Sequence, residues 1–385
     1  MSQVQVVHPS ILSSQDVAAW RVMQAATPAF ASPLLGPDFA QAVGEVRQDA
    51  RVAVWRRDDA PVGFLAHHRR PTGFARPIGA PFCDYHALVS TPDFDLPASE
   101  VLASARLTAL RLSGLVDPFG VFSQAAAATE AAYAITLTGA GEDYLQDLKA
   151  QSANRAKNFR RYFRKLETDI GKVTLKAPDQ DRHAFAQLVE WKRQQLARTG
   201  MHDFLQPQWT LALLDNLFDR QAGDFQGLMI SLYAGGRLVA GHFGVRLNGV
   251  FHPWISAMAP ELESYSPGFV HQWMAIAAMT DLGLHTYDLG PGSDHWKKLF
   301  TTATTEVGLG LATAAGLGGH LAGAAEGVWA VPPLAGAPMA SRVRNRLDQI
   351  ATMELTMGGR VWGVINAVTA FERRNADRRA TSSTS

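Results

Sequence analysis

The sequence predicts an α/β (α+β) protein made of two tandem copies of one unit, each a mostly antiparallel twisted sheet flanked by helices, with a helical tail after them. Three observations carry this. The stretches "RVAVWRRDDAPVGFLAHHRR" (Arg51 to Arg70) and "GLMISLYAGGRLVAGHFGVRL" (Gly227 to Leu247) alternate apolar and polar residues and turn at Asp58-Asp59 and Gly235-Gly236. Both then resume with Val followed by Gly or Ala-Gly, so they read as one hairpin occurring at equivalent places in two halves. The chain of 385 residues suits two domains at about 150 residues each. A hydrophobic content of 47% with 18% charged residues describes a chain able to bury a good core.

Taken in order, residues 1–143 are the first unit, with no Ser-Pro-Gly helix start where the second unit has one, and so with no cofactor cleft expected. Residues 144–171 read as a basic linking helix, with Leu145, Leu148, Phe159, Phe163 and Leu166 at helical spacings. The second unit, 172–315, opens with the amphipathic helix "DRHAFAQLVEWKRQQLARTG", closed by Gly200, and a further helix "WTLALLDNLFDRQ". Strands Leu228–Tyr233, Leu238–Leu247 and Val250–Met258 follow, then a helix from Ser266 and a short strand "HTYDLG". The uncharged run Val307 to Ala325 is too rich in Gly and Ala to span a membrane and reads as a strand followed by a loose connection. The tail, 316–385, carries two basic helical patterns, which suit an anionic membrane surface, a phosphorylated ligand or a solvated face.

Composition narrows the chemistry. A net charge of +1 argues against bulk nucleic-acid binding, DNA included. The single Cys83 excludes an internal disulfide and a cysteine-based zinc site and suits a reducing cytoplasm. The first residues lack the basic and apolar regions of a signal peptide. His252 and His271 have no partner at metal-ligand spacing and read as structural, so no metal is expected.

The most informative stretch is "SYSPGFVHQWMAIAAMTDLGLHTYDLGPGSDHWKKLF". Ser266 is expected to cap the helix and Pro267 to fill its first position. Gly268 costs about 1 kcal/mol relative to alanine inside a helix, unless a ligand must approach the backbone. A helix start with free N–H groups and a positive dipole end is an anion site, though a plain capped helix fits these residues too.

This run resembles the CelD-like acyltransferases of the GNAT superfamily, relatives of the FemAB peptidyltransferases. The matching positions are Ser266, Pro267, Gly268, Asp288, Gly290, Gly292, Trp296 and Lys297. Arg160, Arg161, Arg164, Lys165 and Leu166 match a basic helix of the family, and Trp191 and Lys192 a second one. Gly79, Asp84 and Tyr85 look like its Gly…Asp-Tyr segment in the first half. The likeness is good from Asn154 to Leu311; Trp296 replaces the tyrosine usual before the lysine, and the tail is not covered.

The resemblance implies two GNAT-like units and an acetyl-CoA or longer acyl-CoA co-substrate bound at Ser266, Pro267, Gly268, Phe269 and Val270. Acyl transfer to an amine needs a proton acceptor and a donor for the developing oxyanion, without a nucleophilic triad. Asp288 is the first candidate base, with a turn-capping role as its alternative, and Glu261 and Glu263 are others. Lys297 suits a phosphate or a polarised carbonyl, or is a surface cation; Trp191, Lys192, Asp84, Tyr85 and Trp296 are candidates for contacting the acceptor.

The family's setting implies an amino-sugar or lipid-linked sugar acceptor in bacterial exopolysaccharide biosynthesis, with the enzyme cytoplasmic or at the inner membrane face. O-acylation is the variant chemistry. A FemAB-type transfer from aminoacyl-tRNA to a cell-wall precursor is a second reading. A third is a non-catalytic adaptor whose Arg342 and Arg346 bind a cyclic dinucleotide.

Overall fold

The computed structural model describes residues 3–365 apart from 71, 293–295, 332–336, 355 and 357. The first half runs β1 (Gln3–Val7), α1 (Ser14–Ala26), α2 (Pro37–Val46), β2 (Ala50–Arg57), β3 (Ala60–Arg69), β4 (Phe74–Pro77) and β5 (Leu88–Ser90), then α3 (Ala98–Ser104), β6 (Ala109–Leu115) and β7 (Ala126–Thr136). Two helices follow, α4 (Gly141–Gln151) and α5 (Ala153–Asp169), broken at Ser152 where one continuous helix was expected.

The second half repeats the order: β8 (Val173–Lys176), α6 (Arg182–Thr199), α7 (Gln208–Asp219), β9 (Gln226–Ala234), β10 (Arg237–Leu247), β11 (Val250–Met258), α8 (Pro267–Ala277), β12 (Thr286–Pro291) and β13 (Ala303–Thr313). The hairpins β2–β3 and β9–β10 thus occupy equivalent places. Asp58 and Asp59 (φ 51° and 66°) and Gly235 and Gly236 (φ 58° and 78°) give each turn the left-handed pair that matches strand twist.

All the strands join one sheet in the order β1-β2-β3-β4-β6-β13-β7-β12-β11-β10-β9-β8, with β5 on β3. The last strand of each half is exchanged: β13 lies against β6, and β7 lies against β12. The halves are therefore stitched through the middle of the sheet. Pairing is antiparallel except for β4 with β6 and β11 with β12, which share two residue pairs at each junction. After Val250↔Thr286 and Phe251↔Tyr287, β11 makes no further pair with β12, and the two strands open into a cleft.

The connection expected after β13 is a helix, α9 (Leu317–Gly327). Its alanines favour a helix, and Gly319 lets it close on β13: a Cβ there would lie 1.9 Å from Ala314 O. Helix α10 (Pro338–Met353) and about two turns of helix at 358–365 follow. Among the described residues no helix is long and apolar enough to cross a membrane.

Candidate functional site

Helix α8 begins with Pro267 in its first turn, but the expected serine cap is absent. The short helical turn Pro260–Tyr265 runs directly into α8, and Ser266 closes that turn with its N–H on Glu263 O. This puts Ser266 at φ 48°, and its side chain caps no N–H of α8. Its hydroxyl lies beside the Tyr162 phenol of α5 and lowers that group's pKa. The helix start is left without a side-chain cap, the state in which it attracts an anion. Gly268 sits there, and a Cβ on it would meet only Met258 Sδ at 3.6 Å, an ordinary contact. Packing does not demand glycine; the space beside it belongs to a cavity.

That cavity, of about 940 Å³, lies at the cleft between β11 and β12. Helix α6 contributes Trp191, Lys192, Gln194, Gln195 and Arg198; α8 contributes Gly268, Phe269 and Gln272. Strands β10 and β11 add His242, Trp254 and Ser256, and Trp296 and Lys297 close another side. Phe82 and Asp84 reach it from the first half.

Asp84 is held there by three close approaches. Its segment runs alongside β6, with His86 N–H donating to Gly114 O at 3.0 Å and Val116 N–H to His86 O at 2.9 Å. Gly114 (φ +76°) is needed because a Cβ would lie 1.9 Å from Asp84 O. Gly290 (φ +71°) is needed because a Cβ would lie 2.6 Å from Asp84 Oδ2. Beneath Asp84 lies His252 of β11, with no exposed side-chain surface. Its Nε2 is 3.0 Å from Asp84 Oδ2, and its Nδ1 is 3.0 Å from Asp288 Oδ2.

Asp288 in turn accepts from Tyr85 Oη at 2.7 Å and from Gly290 N–H at 2.9 Å. Four polar groups thus form a chain from the cavity into the core: Asp84, His252, Asp288 and Tyr85. Burial alone would lower the pKa of His252, but the two carboxylates outweigh it and raise the ring to about 9. At neutral pH it is an imidazolium between two carboxylates. Burial, then Asp288, push the Tyr85 phenol above its ordinary value, so it stays a donor.

The expected base, Asp288, is therefore not on the cavity wall; it is buried behind His252, and Asp84 is the carboxylate with an open side, its side chain 36% exposed. Tyr85 likewise lies behind the wall, bonded to Asp288. His252, read as structural from sequence, is the centre of the chain, whereas His271 is structural: its Nε2 pairs with Ile230 O at 2.8 Å. Glu263 sits exposed on the cavity rim 3.4 Å from Arg198, and Glu261 pairs with Arg237. Lys297 is not a surface cation: it is buried, and its Nζ donates to Pro291 O at 2.6 Å, bracing the glycine turn.

Of the helix-start residues, Ser266, Gly268 and Phe269 line the cavity, while Pro267 and Val270 are buried. Trp191, Lys192 and Trp296 line it as expected. The side chain of Arg342 lies outside the described residues, and Arg346 is partly buried near His202, whose pKa it lowers in addition to burial. Sequence reading missed Gln272, Trp254 and His242. The ring of His242 bonds Tyr287 Oη at 2.6 Å, and burial holds its pKa well below the usual value. Among the described residues no His, Cys, Asp and Glu group could hold a metal ion.

Residues 153–298 match the acetyltransferase (GNAT) domain family, so the chain carries an acyltransferase domain of this type. No curated protein matches the chain significantly. Among solved structures it is similar to FemX, at 11% identity over 80% of this chain and 96% of that one, with a TM-score of 0.51. It is also similar to a tandem GNAT protein from the clavulanic acid biosynthesis pathway, at 9% identity over 82% and 100%, with a TM-score of 0.47. A third is the C-terminal domain of a putative lysylphosphatidylglycerol synthetase from Agrobacterium fabrum, at 12% identity over 83% and 98%, with a TM-score of 0.46. The likeness to FemX is one of fold.

Proposed function

We propose that the chain transfers an acyl group from acyl-CoA to the amine of a sugar acceptor, as a CelD-like enzyme of exopolysaccharide biosynthesis. The observation that carries this is one cavity with an uncapped, glycine-opened helix start on one wall and the Asp84 carboxylate on another. The helix start suits the phosphates of a coenzyme A thioester through its dipole and the Gly268 N–H, since Pro267 has no N–H and those of Phe269 and Val270 donate to Ser266 O. The acceptor nitrogen bonds to the thioester carbonyl carbon, the C–S bond breaks, and the coenzyme leaves as a thiol. Asp84 takes the proton that the nitrogen must lose, and His252 with Asp288 holds that carboxylate in place. An anionic Asp84 favours an ammonium over a neutral hydroxyl, which supports N- over O-acylation.

The acceptor wall supports a sugar. Trp191, Trp254 and Trp296 offer flat apolar faces, and Gln194, Gln195 and Arg198 offer amide and guanidinium donors among them.

Calorimetric titration of acetyl-CoA and longer acyl-CoAs into wild type and a Gly268→Val variant tests this reading. Binding to wild type that is lost in the variant is expected. No binding to wild type at millimolar acyl-CoA overturns it.

A FemAB-type reaction is the second reading, favoured by helix α5, which exposes Lys157, Arg160, Arg161, Arg164 and Lys165 beside the start of α8. Binding of charged tRNA with no binding of acyl-CoA would select it, and binding of a cyclic dinucleotide without turnover would select an adaptor.

The C-terminal helices support a position on an anionic membrane surface, where a lipid-linked sugar would lie. Among the described residues, ten of the fourteen exposed large hydrophobic side chains fall between Leu317 and Ile365, including the i,i+4 pairs Leu317/Leu321, Val343/Leu347 and Val361/Ile365. Residues 338–385 carry eight arginines against four acidic side chains. Co-sedimentation with vesicles rich in phosphatidylglycerol, and not with phosphatidylcholine vesicles, is expected; equal failure with both removes the membrane from this reading.

A further inference from the structure

Another cavity, of about 340 Å³, lies where α9, α10 and the helix at 358–365 cover β4, β6 and β13, and it shares no lining residue with the cavity that Asp84 reaches. The strands gather positive charge there. Phe74 pairs with Ala109 and Ala75 with Leu110 in parallel register, so the next step along both strands puts Arg76 beside Arg111. Like charges on neighbouring strands repel. Arg70 and Arg360 line the same cavity. The carboxylates around it are too few to balance these groups. Arg47 and Arg70 share Asp49, at 2.8 and 3.2 Å. Arg76 and Arg111 both approach Asp348, at 2.8 and 3.6 Å, and Arg111 and Arg344 share Glu326. Among the described side chains, five guanidinium groups thus draw on three carboxylates, an excess of two positive charges. Arg360 and Glu354 lie together, Nε donating to Glu354 O at 3.2 Å, and leave that excess unchanged. Burial pulls the Arg70 guanidinium down to about 10 despite Asp49, and Arg47, Arg360 and Arg76 pull the same way.

The cavity is open to a ligand, since Arg111 keeps 17% of its side chain exposed and Arg360 is half-buried. Its rim is apolar. Ala325, on the lining, lies four residues from exposed Leu321 on α9, and exposed Val364 lies four residues from Arg360. We propose that this cavity binds the phosphate of an anionic lipid, with Arg76, Arg111 and Arg360 around the phosphate and the acyl chains along the exposed apolar faces of α9 and the helix at 358–365. Guanidinium forks match phosphate oxygens, and a phosphate monoester carries up to about two negative charges at neutral pH, the size of the excess. The choice of a lipid as the source of the phosphate rests on the membrane position proposed above; the charge excess does not.

Dihexanoyl phosphatidic acid, kept below the concentration at which it forms micelles, is titrated calorimetrically into the full chain as wild type, Arg111→Gln, Arg360→Gln and Glu326→Gln. Glycerol 3-phosphate has the headgroup without chains, and dihexanoyl phosphatidylcholine has the chains with a neutral headgroup; both are titrated beside it. Wild type should bind the phosphatidic acid about tenfold more tightly than either, and each arginine variant should lose about tenfold. Glu326→Gln removes a carboxylate that competes with the phosphate for Arg111, so this variant should bind more tightly than wild type. A merely structural role predicts the reverse, because loosening α9 would weaken binding in Glu326→Gln as well. No binding to wild type, unchanged affinity in both arginine variants, or weaker binding in Glu326→Gln overturns the site. Glycerol 3-phosphate bound as tightly as the phosphatidic acid overturns the lipid assignment. Wild type that binds the soluble lipid but sediments with no vesicle would keep the phosphate site and remove the membrane position.

Discussion

Replacing His252 by Gln removes the one positive charge between Asp84 and Asp288 and should expose, without any substrate, how the site is held. Two effects oppose each other at this ring: burial favours the neutral form, and the paired carboxylates favour the imidazolium. The carboxylates win, with a folded-state pKa of about 9 against the ordinary 6.5. A raised folded-state pKa contributes stability that is fully present below 6.5 and is lost as pH rises through about 9. At about 1.36 kcal/mol per unit, the contribution at low pH is on the order of 3 kcal/mol. Gln does not titrate, so above the range in which Asp84 and Asp288 take up protons the stability difference between wild type and His252→Gln reports this ring. Urea unfolding of both proteins at intervals from pH 6 to pH 10 should show the wild-type advantage shrinking by about 3 kcal/mol, most steeply above pH 7. A flat difference, or an advantage that grows with pH, would mean that burial dominates and that the ring is neutral. The chain from Asp84 to Tyr85 would then not be ionic.

Other consequences follow from the same geometry. Asp84→Asn keeps the shape of the wall and removes the proposed proton acceptor; coenzyme release in the presence of an amine acceptor should fall by about a hundredfold or more, with acyl-CoA affinity retained. Gly114→Ala puts a Cβ 1.9 Å from Asp84 O at a φ of +76°, so the loop must move by more than an ångström. Turnover should fall by about a hundredfold while coenzyme A titration changes little, and turnover equal to wild type would show that Asp84 needs no such placement. Gly268→Ala adds a Cβ that the protein accommodates at 3.6 Å from Met258 Sδ, so free protein should gain up to about 1 kcal/mol in urea unfolding while acyl-CoA binding weakens.

The frame of this protein was legible because its local signals are strong. The two hairpins show period-two alternation around dipeptides that accept left-handed backbone, and α8 announces itself with Pro267 before an apolar run. Helix α9 was not legible, because its glycines argue against a helix until the contact of Gly319 with Ala314 O is known. The capping role of Ser266 failed because of the turn directly before it. One residue cannot close the turn Pro260–Tyr265 in the left-handed region and also turn its side chain back onto α8.

The chemistry lay further from view, because no spacing in the chain relates Asp84 to His252. They are 168 residues apart and meet through the way the two halves are joined. In the first half, the segment carrying Asp84 and His86 pairs alongside β6, close by the junction where β4 and β6 run parallel. The exchanged strands β13 and β7 then fix β6 at a set distance from β12 and β11. Asp84 is thereby delivered over the matching opening of the second half, beside His252 and against Gly290. In the first half the segment after β4 pairs alongside β6, through His86 and Leu115, beyond the point where β4 and β6 part. The first half thus fills its own opening with the loop that carries Asp84, and in the proposed reaction the unit that lacks a Ser-Pro-Gly helix start contributes the base to the unit that has one.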